Sequence, residues 1–111
     1  MSLIVQAYRR GRDGEFTWLE VDFPFNTMAG PEAWRDAVWG SAEFQALGLE
    51  LLPSLRSGDI YAEEADLQKL GAEVQQILAK TTDEGISFRT KNIQAAVRLA
   101  LSQPGCGVYI G

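Results

Sequence analysis

The sequence predicts a small α+β domain spanning residues 1–111, in which an antiparallel or mixed sheet packs against about three helices. The sheet is expected to combine an amino-terminal hairpin with the carboxy-terminal strand. Three observations carry this expectation. Leu67, Leu70, Val74, Ile77 and Leu78 recur at the three-and-four spacing of one helical face. Two apolar runs, Leu3–Tyr8 and Phe16–Phe23, flank Gly11-Arg12-Asp13-Gly14, whose glycines and Asp tolerate the positive φ of a tight turn. Gly107–Gly111 is a β-like run, and its amides need a partner strand, best supplied by the hairpin.

In chain order, Phe16, Trp18 and one of Val21 or Phe23 are expected to face the core, and Pro24 to end the second strand. Phe25–Gly30 reads as a connector. Pro31 suits a first helical position, where its missing amide proton is no loss, so a short helix is expected over Glu32–Trp39. Trp34 and Trp39 lie five apart on it and point to different sides: Trp34 is the better core residue, and Trp39 is a candidate exposed anchor. Ser41 can cap a further short helix running to Leu47. Leu49–Leu52 fits either a helical turn or a short strand, and Pro53 opens one more turn over Ser54–Ser57, closed by Gly58.

The central helix is read over Tyr61–Thr81, with Glu63, Glu64 and Asp66 in its first turns and Lys80 in its last, matching the helix dipole. Gly85–Phe88 reads as a brief strand or an ordered loop. Thr90 is placed as the cap of a last helix over Lys91–Ser102, with Ile93, Val97, Ala100 and Leu101 on its buried stripe. Gln103-Pro104-Gly105 stops it.

Composition narrows function. The chain has 111 residues, 46% of them hydrophobic, and no apolar run that approaches a membrane span. The charges of MSLIVQAYRR follow the apolar stretch, the reverse of a signal peptide, so a soluble, cytoplasmic protein is expected. A lone cysteine, Cys106, fits a reducing compartment and is expected to be a small core residue. Fifteen acids against ten bases leave a net charge of −5, a poor match to nucleic acid. The chain has no histidine, which removes the imidazole base of Ser-His-Asp and Cys-His systems. Without His or Cys clusters, zinc and copper sites are not expected either, and no cofactor is. Gly105-Cys106-Gly107 follows a helix and precedes a strand, the inverse of a dinucleotide loop.

What remains is an acidic run. Asp59, Glu63, Glu64 and Asp66 gather four acids in eight residues without a base. They can be a solvated helix start or a patch that meets a basic partner, with Trp39 as a neighbouring anchor.

One pattern resembles a known family. An opening hairpin leads to a short helix ending in Trp39-Gly40-Ser41. Then follow Leu52-Pro53-x-Leu55, Gly58-x-Ile60-Tyr61, and a helix with Leu67, Leu70, Glu73 and Ile77. Over residues 3–80 this is similar to small bacterial immunity proteins encoded beside polymorphic toxins. The chain departs from that pattern by added residues between Ser41 and Leu52 and by a shorter carboxy-terminal third. The resemblance implies a non-catalytic protein that neutralises a cognate toxin, possessing a basic cleft, by binding it. Two other readings stand beside it: a regulatory or scaffold module, homodimeric or bound to another protein, and a small enzyme using Asp59 or Glu63 as acid and base.

Overall fold

The computed structural model describes residues 2–111 and shows a small α+β fold. Strand β1 (Ser2–Arg10) turns through Gly11–Gly14 into β2 (Phe16–Leu19), the expected hairpin. After β3 (Met28–Pro31) come a π-helical turn over Arg35–Trp39, helix α1 (Ala42–Ala46) and a 3-10 turn over Leu52–Arg56. Strand β4 (Ile60–Glu63) leads into α2 (Ala65–Lys80), then α3 (Glu84–Leu101) and β5 (Cys106–Ile110). All pairings are antiparallel, in the order β2-β1-β5-β4, with β3 joining the start of β1.

The carboxy-terminal strand is central. β5 lies between β1 and β4, with Ala7 opposite Val108 and Ala62 opposite the same residue. Alternation along β1 sends Leu3, Val5 and Ala7 to the helix side, where they are buried with Ile60, Ala62, Val108 and Ile110. Leu67, Leu70, Val74 and Ile77 of α2, and Ile93, Ala96, Val97 and Ala100 of α3, complete that layer. Gly71 lets the two helices approach: a Cβ there would lie 3.3 Å from Val97 Cγ1. Its helix-weakening effect of about 1 kcal/mol is the local cost of that contact.

Several elements differ from the sequence reading, each for a physical reason. The central helix begins at Ala65, not Tyr61, because Ile60-Tyr61-Ala62-Glu63 alternates buried and outward-facing positions as strand β4. Glu63 and Glu64 therefore precede the helix, and of the acids only Asp66 sits in its first turn. Gly85–Phe88 is neither strand nor loop. Asp83 caps α3, accepting from the Ile86 amide at 2.9 Å, so the helix starts before Thr90. Thr90 is buried within it and donates to the Ile86 carbonyl. Leu101, at the last turn, is 51% exposed. Pro31 ends a strand that the connector hid, and the helix expected over Glu32–Trp39 shrinks to the π-helical turn. Ser41 caps α1 as expected, accepting from Phe44 at 3.2 Å.

Two buried polar residues tie the loops to the helices. The Glu73 carboxylate, 5% exposed, accepts from the amides of Glu50 and Leu51 at 2.9 Å and of Leu52 at 3.0 Å. Asn92 of α3 accepts from the Asn26 amide at 3.0 Å and donates to the Asn26 side chain and the Met28 carbonyl, both at 2.9 Å. The first fixes the 3-10 turn; the second fixes the approach to β3.

Candidate functional site

Helices cover one face of the sheet. The opposite face is set by the other half of the alternation: Ile4, Gln6, Tyr8 and Arg10 on β1, Phe16 and Trp18 on β2, Tyr109 on β5, and Tyr61 and Glu63 on β4. Five aromatic rings meet there. Tyr8 stacks on Phe16 with centroids 4.5 Å apart and meets Trp18 and Tyr61 edge-on at 6.1 and 6.3 Å. Around it, Phe16, Trp18, Tyr109 and Tyr61 close a ring of contacts at 5.0 to 6.4 Å. Phe16 and Trp18 thus face away from the helices, a correction to the expectation that they enter the core. Trp18 is 48% exposed and Tyr61 55%, and Ile4 and Met28 extend the apolar surface toward β3.

Tyr8 lies flat because of a glycine. It sits opposite Gly107, where an added Cβ would stand 2.7 Å from the Tyr8 hydroxyl, 2.8 Å from Glu63 Cγ and 2.7 Å from the Ala62 carbonyl oxygen. The carbonyl is backbone and cannot step aside. We expect Gly107→Ala to cost about 1–3 kcal/mol, the range of core overpacking. An unchanged urea midpoint would show that the sheet yields there.

The Tyr8 hydroxyl donates to Glu63, which also pairs with Arg10 Nη2 at 2.7 Å. Burial, then the Glu63 carboxylate, holds the Tyr8 phenol well above its ordinary value. The Tyr8 hydrogen bond and Arg10 hold Glu63 below the usual carboxylate range. The two shifts act at opposite ends of the pH scale. Above about pH 10 the unfolded tyrosine ionises while folded Tyr8 keeps its proton, so stability falls as pH rises. Below the ordinary carboxylate range the unfolded Glu63 binds a proton first, so stability falls as pH drops. In urea melts, Tyr8→Phe should flatten the alkaline decline relative to the wild type. Parallel curves would remove the phenol as its source.

At the other end of β4, Asp59 accepts from Arg35 Nη2 at 2.8 Å and from the Tyr109 hydroxyl at 3.2 Å. Burial first, then Asp59, raises the Tyr109 pKa. Arg35 also donates to the Leu55 and Gly58 carbonyls at 3.1 and 3.0 Å, locking the 3-10 turn to the sheet edge.

The acidic run is therefore divided. Asp59 and Glu63 lie four residues apart along an extended segment, roughly 13 Å, and each is paired with an arginine, Glu63 with Arg10 and Asp59 with Arg35, which Asp59 shares with Glu32. Glu64 and Asp66 are exposed at the entry to α2 and make no ion pair among the described residues. Glu64 has φ 53° and ψ −119°, the one non-glycine residue with positive φ among those described. Trp39 is fully buried, its Nε1 donating to the Ala29 carbonyl at 2.9 Å, and cannot serve as a surface anchor. Trp34, expected in the core, is half-buried and packs edge-on against it. Sequence reasoning missed the aromatic face, although the signal was present: Tyr8 is out of phase with Leu3, Val5 and Ala7.

Among the described residues, no group of three or more His, Cys, Asp or Glu could hold a metal ion. No helix there is long and apolar enough to cross a membrane. No family model, curated protein or solved structure matches the chain.

Proposed function

We propose that this chain is a non-catalytic protein-binding protein, of the immunity-like kind its sequence resembles, and that it engages its partner through the outer sheet face. The supporting observation is the aromatic ring of Phe16, Trp18, Tyr109 and Tyr61, left uncovered by the helices. Trp18 and Tyr61 are its exposed rings, Phe16 and Tyr109 its half-buried ones, and exposed Trp and Tyr on an apolar patch are the residues that anchor interaction sites. The Arg10–Glu63 and Arg35–Asp59 pairs hold the rim side chains in place, so little ordering accompanies binding. Long-range attraction of a basic toxin domain falls to the net charge of −5 and to exposed Glu64 and Asp66. An acid–base enzyme would want a carboxylate pushed upward in pKa, and Glu63 is pushed downward.

The test mixes the purified chain with the product of its neighbouring open reading frame. A tight one-to-one complex in which that product loses its toxicity is the expected result. A stable homodimer that ignores the neighbour would favour the interaction-module reading instead. With salt, association of the complex should slow while dissociation changes little, because steering acts on encounter.

A further inference from the structure

A second site lies beyond the five aromatic rings, where the first residues of β1, the strand β3 and the first half of α3 converge. A cavity of about 290 Å³ opens there, lined by Leu3, Ile4, Met28, Gly30 and Pro31 with Ser2, Thr27 and one charged residue, Arg89. Ligand sites begin at about 300 Å³, so the space suits a small molecule or a chain end rather than a folded surface.

Arg89 is unusual in its surroundings. Its guanidinium lies 5.4 Å from the Trp34 ring centroid and 5.6 Å from that of Phe88, within cation–π range of both. It makes no ion pair among the described residues. Its one hydrogen bond is a long 3.5 Å contact from Nη1 to the Gly85 carbonyl, within its own helix. Nε is sealed from solvent and has no acceptor, the one buried side-chain nitrogen or oxygen so placed among the described residues. The four N–H donors of Nη1 and Nη2 make no other hydrogen bond among the described residues. The terminal Nη1 and Nη2 hydrogens together can grip a carboxylate with two parallel bonds.

The backbone is shaped to the same end. Gly30 has φ +105°, and a Cβ at that position would strike the Trp34 ring, standing 2.7 Å from its Cδ2. The glycine thus allows Trp34 to lie against the β3 backbone, from where it flanks the guanidinium.

We propose that this cavity binds an amphiphilic monocarboxylate: an apolar body seated among Leu3, Ile4, Met28 and Pro31, and a carboxylate on Arg89. The acid meets the terminal Nη1 and Nη2 hydrogens, with Nε behind them and out of solvent. A free short-chain acid and the carboxy terminus of a peptide share this chemistry. Ile4 and Met28 border both this cavity and the sheet face, but Arg89 belongs to the cavity alone, so its signals and variants test this proposal separately from the protein-binding reading.

The experiment titrates the full chain with sodium hexanoate, N-acetyl-leucine and 1-hexanol at constant ionic strength, followed by proton–nitrogen correlation spectra that include arginine Nε–H signals. We expect either acid to shift the amides of residues 2–4 and 27–31 and the Arg89 Nε–H at millimolar concentration. The alcohol should bind at least about tenfold more weakly, because it lacks the second charged oxygen. The tighter of the two acids identifies the source. Arg89→Gln should weaken acid binding by about tenfold or more, and Arg89→Lys, which keeps the charge but loses the fork, should also weaken it. No shift near the cavity with either acid overturns the proposal. So does equal binding of acid and alcohol, or the same response to sodium sulfate, which would show a general anion effect.

Discussion

Glu73→Ala should remove about 3–5 kcal/mol of stability, a large share of the roughly 5–15 kcal/mol that holds a typical domain folded. Three amides, those of Glu50, Leu51 and Leu52, converge on this one carboxylate in a site 5% exposed. Truncation leaves all three donors without an acceptor, and each buried orphan costs about 1–3 kcal/mol before water or relaxation offsets part of it. The Leu52 amide opens the 3-10 turn, which carries Leu52 and Leu55 into the core, so packing is lost along with hydrogen bonds. Glu73→Gln should fall between, at about 1–3 kcal/mol, because one carbonyl oxygen remains while the new NH2 faces other donors. Urea unfolding monitored through the tryptophans gives the comparison. A shift in midpoint at constant slope is expected; a loss below about 1 kcal/mol for the alanine variant would mean that the turn finds other acceptors.

This carboxylate also shows where sequence reading stops. The Leu67–Ile77 stripe of α2 was legible because apolar spacing is local, and the structure buries Leu67, Leu70, Val74 and Ile77. Glu73 sits on that same stripe, but an acid there gives no local sign of the amides more than twenty residues earlier that need it. Strand β5 and the hairpin were legible from turn chemistry and unpaired amides, and both stand in the sheet. Strand β4 was not, because its four residues run directly into α2 and its acids imitate a helix start. Strand β3 was hidden because Met28-Ala29-Gly30-Pro31 lacks β-branched residues and ends in proline. Its place comes from Ser2 and Ile4 of β1 and from Asn92, all distant in sequence. The tryptophan pair inverted for a related reason. Helical spacing separates Trp34 from Trp39 but does not say which side the sheet takes, and the short π-helical turn gives Trp39 to the core.

The candidate site followed the same division. Each acid of the Asp59–Asp66 run could be named, yet its partners could not: Arg35 lies before the 3-10 turn and Arg10 on the opening strand. Once β4 is a strand, alternation sends Tyr61 and Glu63 to the outer face beside Tyr8, Tyr109 and Trp18. The proposed binding surface therefore moves from an acidic helix entry to an aromatic sheet.

That shift gives the second large effect, on binding to the neighbouring gene product. Trp18→Ala with Tyr61→Ala should weaken the complex by about 4 kcal/mol, roughly a thousandfold in Kd, if each ring anchors the interface at about 2 kcal/mol. The two rings are half-exposed in the free protein, so folding should lose much less, about 1–2 kcal/mol through their contacts with Tyr8, Phe16 and Tyr109. Most of the loss should appear in the dissociation rate, because truncated anchors leave the encounter unchanged. Glu64→Lys with Asp66→Lys should do the reverse. Those side chains are exposed and unpaired, so stability should hold within about 1 kcal/mol. Association at low salt should slow by about tenfold and recover as salt screens the charges, with dissociation nearly constant. Surface binding of both double variants at two ionic strengths separates the two roles. A complex that tolerates the loss of both rings would take the interface off the sheet, and would leave the exposed acids at the α2 entry as its surviving contact.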